Sequence, residues 1–118
     1  MNFKTDQENF WASDFGKKYI HRNKSKKLLS NNIDFFSRAL KNTQGIKTCM
    51  EFGSNIGMNI KALRFLYPEQ EHYAIEINSK ALKELKKVVP QKNIFEGSIL
   101  NYNSKKVFDL TFTKGVLI

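Results

Sequence analysis

The stretch Cys49-Met50-Glu51-Phe52-Gly53-Ser54-Asn55-Ile56-Gly57-Met58-Asn59 is the one on which the fold turns. A short apolar run carries an acid near its end, two glycines bracket a polar loop, and a helical pattern follows at once. A chain passing from strand through glycine loop into helix puts that loop at the carboxyl end of a strand, where open α/β sheets bind their ligands. Downstream, Tyr73-Ala74-Ile75-Glu76-Ile77-Asn78 sets a second acid at the end of another apolar run. Glu76, with Ile77 beside it, stands at about the separation at which nucleotide-binding α/β units grip the hydroxyl pair of a ribose. An acid has little reason to end a buried strand unless hydroxyls or a cation meet it there. Together the two motifs predict a site for an adenosine-containing cofactor.

Charge separates the candidate cofactors. A dinucleotide brings a pyrophosphate, which calls for a loop free of carboxylates, a second glycine for close backbone approach and a third for helix–strand packing. Asn55 and Met58 hold those two glycine positions, and Glu51 precedes the loop. S-adenosylmethionine has no phosphate but carries a sulfonium and an ammonium, both attracted to a carboxylate such as Glu51. The expectation is therefore S-adenosylmethionine, with an NAD-binding protein as the rival. Gly53 and Gly57 should let the backbone approach the methionine part, with Glu51 and Ser54 nearby to receive its ammonium, directly or through water. Asparagine tolerates left-handed backbone, so Asn55 can replace a loop glycine.

The remaining elements follow from periodicity and punctuation. Asp6 can cap a short helix through Trp11, and Lys17 to Arg22 reads as another turn or two. Leu29, Ile33, Phe36 and Leu40 write a longer helix stopped by Gly45. A strand over Lys47 to Phe52 leads through the loop into a helix from Ile56 to Tyr67, closed by Pro68. His72 to Ile77 is a second strand, and Asn78 caps a helix that buries Leu82, Leu85 and Val89 before Pro90. Asn93 to Glu96 and Phe108 to Thr113 are the third and fourth strands. Alternating strands and helices imply a parallel sheet with right-handed crossovers.

Four segments carry a resemblance to a known family. The loop Glu51 to Gly57, the acid Glu76, the turn Glu96-Gly97-Ser98-Ile99-Leu100 and the run Phe108-Asp109-Leu110-Thr111-Phe112-Thr113-Lys114-Gly115-Val116-Leu117-Ile118 resemble, in order and spacing, the successive motifs of class I S-adenosylmethionine-dependent methyltransferases. The leader Phe10-Trp11-Ala12-Ser13-Asp14-Phe15-Gly16-Lys17-Lys18-Tyr19-Ile20-His21-Arg22-Asn23 is similar to that of the methylases associated with pseudaminic acid biosynthesis. The resemblance implies a Rossmann-like methyltransferase fold with strands in the order 3-2-1-4. It also implies methyl transfer to a small-molecule acceptor, a nonulosonic-acid sugar of the pseudaminic acid pathway or its precursor. Ser98 and Ile99 would flank the adenine, although an acid is commoner at the Ser98 position. Thr113 and Lys114 would reach the crevice at the strand ends. Tyr19 and Arg22 would reach the cofactor carboxylate from a lid, a pairing that suits a planar guanidinium.

Length and composition bound the rest. At 118 residues the chain is one small domain at most, shorter than complete doubly wound methyltransferases. The expected organisation is a helical leader or lid over residues 1–45 and an S-adenosylmethionine-binding half-domain over residues 46–118, truncated after the fourth strand and inactive alone. A non-catalytic remnant of a methyltransferase is the alternative. The net charge of +9 is spread over several lysine runs, which argues for solvated helix faces rather than a nucleic-acid surface. Cys49, the single cysteine, sits in an apolar run as a small hydrophobe. Neither His21 nor His72 has a second ligand at metal spacing, and no catalytic base or triad is legible. No run approaches the length of a membrane span, and the polar amino terminus lacks a signal core, so a cytoplasmic location is the default.

Overall fold

The computed structural model describes residues 3–13 and 26–114. The predicted turn over Lys17 to Arg22, with Tyr19 and Arg22, lies outside the described residues.

Helix α1 spans Asp6–Ala12, and Thr5 rather than Asp6 is its cap. Thr5 and Glu8 form a reciprocal capping box, Glu8 N donating to Thr5 Oγ1 at 3.1 Å and Thr5 N to Glu8 Oε1 at 3.0 Å. The S/T-x-x-E spacing places both orphan donors of the first turn within reach of side chains, which Asp6 cannot do from inside the helix. Helix α2 is Lys26–Ala39. Strand β1 (Thr48–Phe52), helix α3 (Met58–Leu66), strand β2 (Glu71–Glu76) and helix α4 (Ser79–Leu85) follow. Two short strands, β3 (Ile94–Glu96) and β4 (Leu110–Phe112), complete the sheet. Most expected ends shift by a residue or two, but α4 ends at Leu85 rather than running on to Val89. At the other end of the unit α3 starts at Met58 rather than Ile56, because Asn55 (φ 51°) and Gly57 (φ 87°) hold left-handed backbone and bend Ile56 into a turn.

All strand pairs are parallel and the order is β3-β2-β1-β4. Glu51 lies opposite Ala74 on one side and Phe112 on the other, and Glu76 opposite Glu96. Asp109 secures the start of β4, since Lys47 N and Thr48 N donate to its Oδ2 at 2.7 and 3.1 Å while Asp109 N donates to Thr48 Oγ1 at 3.0 Å. A residue of hydrogen-bonding capacity just before a strand of three residues thus fixes its register where few ladder bonds can.

Two apolar layers enclose the sheet. On the helical side Ile60, Ala74, Leu82, Leu85, Val88 and Val89 pack α3 and α4 against β2, and Phe36, Leu40 and Leu63 join α2 to α3 with Leu110 and Phe112 of β4. Leu63 and Leu85 are fully buried, each burial worth roughly 1.5–3 kcal/mol. On the opposite face Met50, Tyr73 and Ile75 lie under Phe52, Phe95, Tyr102 and Phe108. Tyr102 and Phe108 belong to the segment between Ser98 and β4, which therefore covers this face with aromatic rings rather than with a helix. Among the described residues no helix is long and apolar enough to cross a membrane.

Candidate functional site

The carboxyl ends of β1 and β2 open on a cleft of about 320 Å³ whose walls come from six places in the chain. Its floor is the loop after β1. Gly53 N and Ser54 N both donate to Ile75 O at 2.9 Å, so the loop is stitched onto β2 before it turns into α3. Gly57 N closes the turn onto Ser54 O at 2.9 Å. Asn55 takes the left-handed conformation expected of it, and its N–H donates to Glu76 Oε1 at 2.7 Å.

Glu76 is 8% exposed and lines the cleft. Its Oε2 accepts from Ile77 N at 2.9 Å and Asn78 N at 2.7 Å. Burial raises its carboxyl above the ordinary glutamate range, and the three backbone donors of Asn78, Asn55 and Ile77 pull it back. Oε1 takes one of these three hydrogen bonds and Oε2 two. An ionised carboxylate offers about four acceptor sites, so Oε1 retains room for a hydroxyl donor.

Glu51 does not itself line the cleft. It lies beneath the cleft rather than on its surface, 1% exposed, with Asn59 Nδ2 donating to its Oε2 at 2.6 Å. Burial pushes its carboxyl up to about 8, the Asn59 bond opposes this, the nearby Glu76 charge adds to it and Lys114 again opposes. Asn59, which lines the cleft, is the link between Glu51 and the open space. Three buried oxygens gather here without a donor among the described residues: Glu51 Oε1, Asn55 Oδ1 and Asn59 Oδ1. Buried acceptors lacking a donor are rare and destabilising, each by about 1–3 kcal/mol.

The other predicted residues divide. Gly53, Ser54, Asn55, Glu76, Ile77, Ser98, Ile99 and Lys114 line the cleft. Thr113 is exposed outside it. Gly57 is not among the lining residues; an added Cβ there would stand 3.1 Å from Leu85 Cδ1 and 3.3 Å from Val88 Cβ, so this glycine lets α4 approach α3. Lys114 Nζ lies 3.4 Å from Asn32 Oδ1 and 5.7 Å from the Phe35 ring. Neither Asn32 nor Asn59 stood out in the sequence. Asn32 had a signal: it is a polar residue on the face of α2 that Leu29 and Phe36 share, and it is 4% exposed. From α1, Thr5, Glu8 and Trp11 also reach the cleft, and Asn78 Nδ2 ties that helix down by donating to Trp11 O at 2.9 Å.

No family model and no curated protein matches the chain by sequence. Solved structures do match by fold. The plantazolicin methyltransferase BpumL in complex with S-adenosylhomocysteine superposes over 91% of this chain with TM-score 0.65 at 19% identity. DesVI of Streptomyces venezuelae matches over 95% with TM-score 0.60 at 10% identity, and CalS10, an amino pentose methyltransferase from Micromonospora echinaspora bound to S-adenosylmethionine, over 97% with TM-score 0.55 at 14% identity. The fold is a partial Rossmann-like methyltransferase fold. The chain spans 44% of the length of each of these three structures.

Proposed function

We propose that the cleft binds S-adenosylmethionine and that the protein is a methyltransferase of the cytoplasm. The observation that carries this reading is the set of three buried oxygens, at Glu51, Asn55 and Asn59, that have no donor among the described residues. The two asparagine oxygens ask for N–H donors, and a cation beside Glu51 favours its ionised form against the burial that raises it to about 8; an ammonium and a sulfonium satisfy both. A pyrophosphate would bring further acceptors to the same place, so the rival dinucleotide fits poorly. The likeness of the fold to solved methyltransferases supports the same choice.

The roles follow from position across the sheet. At the β1 and β4 end, the Gly53–Asn55 loop, Ser54 and the Glu51–Asn59 pair hold the methionine portion, with Lys114 and Asn32 at its margin. Glu76 at β2 receives the ribose hydroxyls. Ile77, Ser98 and Ile99 enclose the base toward β3. When bound, S-adenosylmethionine supplies an electrophilic methyl group. The residues of this chain contribute by holding the cofactor in one orientation, and positioning supplies much of the rate of such transfers. The acceptor we assign is a small molecule, a nonulosonic-acid sugar of the pseudaminic acid pathway.

Titration calorimetry with S-adenosylhomocysteine and NAD tests the cofactor. Glu76→Ala should weaken S-adenosylhomocysteine binding by roughly 1.5–3 kcal/mol through loss of charged hydrogen bonds. Unchanged affinity in the folded variant removes the ribose role, and tighter binding of NAD than of S-adenosylhomocysteine removes the cofactor. Methyl transfer to nonulosonic-acid sugars, followed by mass spectrometry, tests the acceptor.

A further inference from the structure

Glu8 is a charged group on the cleft wall to which the reading above gives no task. Its position is well defined by the capping box of α1, in which Lys4 N and Thr5 N donate to Oε1 at 2.9 and 3.0 Å. Oε2 takes no part in that box. Trp11, one turn later on the same helix, is held by Asn78, the residue that also caps α4 and donates to Glu76. The carboxylate of Glu8 is therefore set relative to β2 from two directions. Ser98, the first residue of the turn after Gly97, lines the same cleft as Glu8, and its hydroxyl is the largest of the influences that keep this carboxyl below the ordinary glutamate range. Ser98 Oγ is itself oriented by accepting from Leu100 N at 3.0 Å.

The sheet order gives this contact its meaning. Across β4-β1-β2-β3, the donor-less oxygens lie by β1, Glu76 ends β2, and Ser98 and Ile99 follow β3. An adenosine-containing ligand with its ribose on Glu76 and its cationic end over β1 has its base at the β3 end, beside Ser98, and hence beside Glu8. We propose that Glu8 is a specificity-determining residue of this site: its carboxylate accepts a hydrogen bond from the exocyclic amine of a 6-aminopurine and, held by Ser98, disfavours a 6-oxo purine. Ser98 is then a positioning residue that acts through Glu8. A 6-oxo group presents an acceptor where the amine presents a donor, and two acceptors facing each other repel. This inference rests on the cofactor reading above.

The test compares S-adenosylhomocysteine with its 6-oxo analogue S-inosylhomocysteine by calorimetry on the purified protein. The unaltered protein should prefer the amino form by roughly 10- to 100-fold, the range of a hydrogen bond to a charged group. Glutamine preserves the capping box, while its amide can donate to a 6-oxo group, so Glu8→Gln should bring the two affinities to within about threefold. Ser98→Ala leaves α1 untouched and should lower the preference in the same direction, which keeps the question open to decision if Glu8→Gln fails to fold. An undiminished preference in either folded variant overturns the role of Glu8 while leaving the cofactor reading in place. Failure of the unaltered protein to bind either compound removes the cofactor reading itself, and this inference with it.

Discussion

Glu51 is almost wholly buried, has one carboxyl oxygen without a donor among the described residues, and is raised to about 8 by burial. His72 is the opposite case, with both ring nitrogens unpartnered among the described residues and burial, then the Arg64 charge, lowering it to about 4. The two make opposite contributions to stability against pH. A buried base whose folded value is depressed adds stability that is present above 6.5 and is lost as pH falls toward 4. An acid whose folded value is raised adds stability that is present below 4.5 and is lost as pH rises toward 8. Above pH 6.5 only the acidic contribution is still changing, and Glu76, also raised, shares its sign. The melting temperature of the ligand-free protein should therefore fall from pH 6.5 to 8, and Glu51→Gln should flatten that fall. Scanning calorimetry across the interval checks this; an equal slope in both proteins would mean that Glu51 is already ionised in the folded state.

The turn between β1 and α3 shows how an element is shaped by what packs behind it. Gly57 caps α3 with φ 87° and has Leu85 and Val88 of the neighbouring helical segment within 3.4 Å of where a side chain would begin. Gly45, just before β1, has a similar φ of 72° but nothing within 4 Å. Alanine at both positions separates conformational strain from crowding. At Gly45 only the strain of left-handed backbone remains, about 1 kcal/mol. At Gly57 overpacking adds about 1–3 kcal/mol. Urea denaturation should rank Gly57→Ala well below Gly45→Ala in stability. Equal losses would show that α4 can retreat from α3 at little expense.

On the scale of the molecule, α1 belongs to the cleft more than to the core. None of its residues is buried, yet Thr5, Glu8 and Trp11 line the cleft and Asn78 anchors the helix by its last turn. Removing residues 1–13 should therefore lower the melting temperature of the ligand-free protein by only a few degrees, about what a loss of 1 kcal/mol produces in a domain of this size. Binding of S-adenosylhomocysteine should weaken by more than about tenfold, the loss of one charged contact at the base. Collapse of the fold with affinity intact in the surviving fraction would make α1 a structural strut instead of a wall of the site.

Much of this architecture was written locally. Alternating strand and helix patterns, the Gly53 to Gly57 punctuation, the asparagine able to take left-handed backbone and the cap at Asn78 are short-range signals, and from them and a family resemblance the parallel sheet and its β3-β2-β1-β4 order could be read. Glu76 was legible for the same reason, because an acid ending an apolar strand is anomalous by itself. Periodicity, however, tells which face of an element is buried and not what lies opposite. That Gly57 answers to Leu85 and Val88, and that Glu8 and Ser98 line one cleft, are juxtapositions of residues far apart in the chain. Only the packing of α1, α3 and α4 around the strand ends brings those side chains together, and that packing is decided by the whole set of apolar faces at once, which no single segment contains.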